Sequence, residues 1–99
     1  MTSFKHDGKS YEPKMTRAGV RDAEAQGLMA SQMAEKPQSS IGLLFFASLT
    51  SRYKINPNKA VAMLDDLLDD GTFKFESLFE EMANAYSDLF GSGEPEKTE

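Results

Sequence analysis

Between residues 41 and 53 the chain reads Ile-Gly-Leu-Leu-Phe-Phe-Ala-Ser-Leu-Thr-Ser-Arg-Tyr, and a helix drawn through its first half has no polar side. Ile41, Leu44, Phe45 and Leu49 fall on one side, with Leu43, Phe46 and Ala47 on the other. Such an element must be surrounded. Its strictly apolar part, residues 41–47, is far below the roughly 18 residues that cross a bilayer. The flanking segments must therefore wrap it, within one chain or with the help of another protein, and no membrane is implied.

The flanks are adequate for that task. A chain of 99 residues with 39% hydrophobic and 27% charged residues has the composition of a small globular domain. We expect one mainly α domain over residues 1–90, with a short N-terminal β-hairpin at 3–15 and about four helices around the apolar central one. Residues 91–99, Gly-Ser-Gly-Glu-Pro-Glu-Lys-Thr-Glu, have no packing pattern and are expected to form a flexible acidic tail. The absence of cysteine excludes disulfides, thiolate metal sites and cysteine nucleophiles. The first residues lack the apolar core of a signal peptide, so a cytoplasmic location is expected.

In chain order, Asp7-Gly8 suits a two-residue hairpin turn, with Phe4 and Tyr11 supplying apolar contacts. Thr16 is a candidate cap for a helix over 17–36, whose face of Val20, Ala23, Gly27, Ala30 and Ala34 is made of small residues. Leu28, Met29 and Met33 widen that surface, either as core fillers or as part of a partner groove. Pro37 breaks the pattern, and Ser39 or Ser40 introduces the central helix, which is expected to reach Tyr53. Asn56-Pro57 is a cap followed by a proline at the first helical position, and Gly71 is placed to end that helix in a left-handed conformation. Ala60, Val61, Leu64, Leu67 and Leu68 form its expected stripe. In the last helix Phe75, Phe79, Met82, Tyr86 and Leu89 form another, broadened by Leu78 and Phe90, with Ser77 and Glu80 as a possible capping box.

Charge divides the chain more sharply than its net value of −5 suggests. Residues 1–59 carry nine Lys or Arg against five Asp or Glu, and residues 60–99 carry two against eleven. This polarity suits head-to-tail contacts or a basic partner, and without a dense basic run nucleic-acid binding is disfavoured. Asp65, Asp66, Asp69 and Asp70 form the acidic cluster, at spacings that bring carboxylates together on a helix. They lack both the loop spacing of a calcium hand and a histidine cluster, so they read as a solvated or protein-binding face and not as a metal site. Arg52 and Lys54 read as solvated flank. His6 has no local metal or triad partner and reads as a surface histidine beside a turn. No nucleophile, phosphate-loop or metalloprotease motif is present, so no catalytic residue and no cofactor is expected and the chain reads as non-enzymatic.

From residues 4–15, through Thr16-Arg-Ala-Gly-Val-Arg-Asp-Ala-Glu24 and the apolar 43–49, to 60–71 and the last helix at 78–90, the arrangement resembles the small tail assembly chaperones of long-tailed, siphophage-like bacteriophages. The resemblance covers about 85 residues and lies in patterns of size and hydrophobicity. It implies a non-catalytic protein that keeps the tape measure protein soluble in the host cytoplasm, helps recruit tail tube subunits, and is absent from the finished virion. It also implies that the end at 91–99 suits either a short form or the junction to a frameshifted longer one. Exposed parts of the central and last helices become candidate contacts: Leu43, Phe46, Phe79 and Tyr86, with Asp65, Asp66, Asp69 and Asp70 supplying charge. Homo-oligomerisation is a further expectation. A structural tail or head-tail component and a small regulatory protein-binding module are the alternatives.

Overall fold

In the computed structural model, which describes residues 3–33 and 35–91, Asp7 and Gly8 both take positive φ, 52° and 79°. That pair of angles matches the right-handed twist of a hairpin. It turns β1 (Phe4–His6) back against β2 (Lys9–Tyr11), with Phe4 opposite Tyr11 and His6 opposite Lys9. Phe4 and Tyr11 stack at 5.2 Å between ring centroids and are buried. The strands stop at Tyr11, short of the expected residue 15, and Pro13 follows beyond the ladder it could not extend.

The first helix, α1 (Arg17–Ala25), is capped as expected, with Thr16 Oγ1 accepting from the Gly19 N–H at 3.0 Å. It ends eleven residues earlier than the expected Lys36. Gly27, at φ 111°, takes the left-handed position; its N–H donates to the Glu24 carbonyl and the Leu28 N–H to the Ala23 carbonyl. These two bonds are the Schellman ending, and the buried Leu28 supplies its apolar contact. Gly27 thus stops the helix and does not extend its small-residue face. A short 3-10 turn (Ala30–Gln32) follows, and Ala34, also assigned to that face, lies outside the described residues.

The central helix α2 (Pro37–Thr50) starts two residues before the expected serines and stops three residues before Tyr53. Pro37, at N1, brings a preset φ and has no N–H to leave unsatisfied, and no side chain caps this start. From Ser40 to Leu49 every residue is buried except Leu43, which is half-buried. The enclosure demanded by its sequence is therefore met. Helices α1, α3 (Pro57–Asp69) and α4 (Phe75–Gly91) each pack against α2, and the hairpin adds Phe4 to Phe45 at 5.6 Å. Polar bonds tether the hairpin arm to α2 and to the residues just after it: the Lys14 N–H donates to the Ser48 carbonyl at 2.8 Å, and the Glu12 N–H donates to the Tyr53 hydroxyl at 2.8 Å.

Helix α3 begins at the predicted cap, with Asn56 Oδ1 accepting from the Lys59 N–H at 2.8 Å, and Gly71 after it has φ 84°. Its buried row is Ala60, Met63, Leu64 and Leu67, an i, i+3, i+4, i+7 set. Met63 takes the place expected for Val61, which is 39% exposed, and Leu68 stands half-buried at the edge. Helix α4 starts at Phe75, so the Ser77–Glu80 box lies within the helix and does not begin it. Leu78 and Met82 are its buried centre, while Phe75, Phe79, Tyr86 and Leu89 are half-buried against the core. The expected tail, apart from Gly91 at the helix end, lies outside the described residues.

Candidate functional site

Asp65, Asp66 and Asp69 are exposed on the last two turns of α3, and Asp70, also exposed, is its C-cap. Two of them are engaged. Asp66 Oδ2 lies 3.0 Å from His6 Nε2, which clips the hairpin to α3, and His6 Nδ1 stands 3.7 Å from Asp7 Oδ2. Asp70 Oδ1 accepts the Thr72 N–H at 2.8 Å and closes the turn into α4. Hydrogen bonds from the Thr72 side chain, then from its backbone, and the nearby His6 hold the Asp70 carboxyl below its ordinary value. Asp65 and Asp69 remain as outward charge. Among the described residues no three His, Asp or Glu side chains converge as a metal site.

The apolar candidates separate in the same way. Phe46 is 5% exposed and its surface is spent within the core, whereas Leu43 is half-buried. Phe79 stacks on Phe75 at 5.9 Å with the rings 6° apart, as the i, i+4 spacing allows, and both remain partly open to solvent. Tyr86, also half-buried, has its phenol pushed above the ordinary value, first by burial and then by the charge of Glu24 on α1. Arg17 reaches across from the start of α1 to donate to the Leu89 carbonyl at 2.9 Å.

A second feature is not visible as a run in the sequence. The hairpin turn and the connection between α2 and α3 enclose a cleft of about 380 Å³, lined by Lys9, Arg52, Lys54 and Lys59 beside His6 and Asp7, with Tyr11, Tyr53 and Ile55 as its apolar wall. Arg52 Nη1 stands 3.4 Å from Glu12 Oε1, and Lys9, Lys54 and Lys59 form no ion pair among the described residues. Lys9 and Lys59 are fifty positions apart and meet only because β2 and the start of α3 both dock beside the end of α2. The one legible signal was the pair Arg52 and Lys54, which stands beside the cleft and not merely in solvent.

No helix among the described residues is long and apolar enough to cross a membrane. Residues 2–98 match the family described as Domain of unknown function (DUF5055), and the chain belongs to that family. No curated protein and no solved structure matches it.

Proposed function

We propose that this member of the DUF5055 family is a non-catalytic tail assembly chaperone of a long-tailed bacteriophage, which binds and solubilises the tape measure protein in the host cytoplasm and helps recruit tail tube subunits. The reading begins from the sequence resemblance. The observation that carries it furthest is the row on α4: Phe75, Phe79, Tyr86 and Leu89 are half-covered by their own chain, at spacings that fit the apolar face of a partner helix. A helical tape measure offers such a face along its length, and the exposed carboxylates of α3 add a means of selecting a basic one.

The test is co-expression with the tape measure and tail tube proteins encoded by the same phage. A chaperone forms a complex and raises the soluble fraction of the tape measure protein; no complex and no gain in solubility would refute the assignment. Purified virions should lack the chain. Its recovery from them at a fixed copy number would replace the chaperone reading with that of a structural tail component.

A further inference from the structure

The cleft between the hairpin and the α2–α3 connection has no role in that reading. Three of its ammonium groups, on Lys9, Lys54 and Lys59, have no ion-pair partner among the described residues, in a chain whose net charge is −5. The lining also holds the carboxylate of Asp7, which the lysines outnumber, and an incoming anion relieves the repulsion that this surplus leaves. One further donor is available. The Tyr53 hydroxyl accepts from the Glu12 N–H and keeps its own hydrogen to donate.

We infer that this cleft binds a short carboxylate-rich peptide segment of a partner protein, with the lysines and Arg52 taking its side-chain carboxylates and Tyr53 and Ile55 covering the intervening apolar stems. The surroundings select against a continuous polyanion. His6, on the wall of the cleft, is bonded to Asp66, so a nucleic-acid backbone leaving the cleft on that side meets the aspartates of α3. A volume of about 380 Å³ also suits a few side chains and not a duplex. A localised acidic segment satisfies the cations without crossing the acidic face.

This inference rests on the protein-binding reading and deepens it. Its test uses the full chain, with fluorescence anisotropy of labelled hexaglutamate, hexaglutamine and a thymidine hexanucleotide at low salt. Hexaglutamate is expected to bind and hexaglutamine not to. Amide resonances of Lys9, Arg52, Tyr53, Lys54 and Lys59 should shift on titration. The double variant Lys54→Gln, Lys59→Gln should bind about fivefold more weakly, since each lost exposed ion pair contributes modestly. The charge-matched variant Lys5→Gln, Lys74→Gln should bind as the parent does, and thermal midpoints establish that both fold. Absent hexaglutamate binding, equal weakening by the two variants, or tighter binding of the oligonucleotide at the same residues would each overturn the inference. If complexes with the tape measure protein and with the tail tube protein both survive Lys54→Gln, Lys59→Gln undiminished, the cleft's role is overturned while the chaperone assignment stands.

Discussion

Replacing Gly19 and Gly42 separately by alanine makes the same chemical change in two helices and should have opposite effects. In a helix interior, alanine is favoured over glycine by about 0.5–1 kcal/mol because it loses less backbone freedom on folding. At Gly42 the added Cβ comes to 3.0 Å from Val61 Cγ2, and Val61 is 39% exposed, so a shift of a few tenths of an ångström relieves the contact. Gly42→Ala should be neutral or stabilise by up to about 0.5 kcal/mol. At Gly19 the Cβ would overlap the carbonyl oxygen of Ala47, a backbone atom of the enclosed helix α2 that cannot rotate away. Relief then requires α1 and α2 to part, and overpacking of this kind costs about 1–3 kcal/mol, more than the propensity gain. The expected net loss is about 1–2 kcal/mol. For a domain of this size the variants should therefore differ in thermal midpoint by roughly 4–20 °C, since each kcal/mol is worth about 4–8 °C. Urea unfolding followed by circular dichroism gives the same ordering independently of heat. If Gly19→Ala were as stable as the parent, or if both variants moved equally, the close approach of α1 to α2 would not exist as described.

Asn56→Ala removes the side-chain acceptor at the start of α3 and should cost about 1 kcal/mol in urea unfolding, whereas Asn58→Ala, two residues on and exposed, should change little. The raised phenol of Tyr86 makes the folded state prefer the neutral ring, so its contribution is fully present below the unfolded tyrosine value near 10 and is lost as pH rises through the folded one. Tyr86→Phe should flatten the alkaline fall in stability; an unchanged fall would contradict the burial of that ring. The lowered Asp70 carboxyl works in the other direction, contributing above the ordinary carboxylate range and losing its effect as pH falls through the folded value. Thr72→Val removes the largest cause, so an NMR titration of Asp70 should move upward, and a stationary curve would exclude the hydroxyl as that cause.

Local chemistry was legible in the sequence and long-range meeting was not. Asp7-Gly8, Thr16, Asn56-Pro57 and Gly71 each act through neighbours within a few positions, and all four appear where turn and cap chemistry puts them. Gly27 misled because a small residue at helical spacing fits both a packing face and a left-handed ending; only the bonds from Gly27 and Leu28 back to α1 decide between them. Val61 misled because apolar character does not fix rotation, and the row through Met63 is the one that turns inward. The His6–Asp66 clip spans sixty positions and the cleft joins Lys9 to Lys59, separations at which one sequence carries no periodic signal. Of the proposed contact residues, Phe46 lies in the core because the apolar circumference of α2 is covered almost completely, and the half-covered side is offered by α4.

The ring of Phe4 meets Phe45 on α2 and, edge-on at 5.5 Å, Phe73 in the turn between α3 and α4, while Phe45 and Phe73 stand 6.5 Å apart. Three distant parts of the chain therefore share one aromatic triangle, and the turn cannot lift without uncovering the strand and the helix together. Hydrogen exchange should show this as a common opening event: amides of β1 and of the turn near Phe73 exchanging with similar opening free energies, despite lying about seventy positions apart.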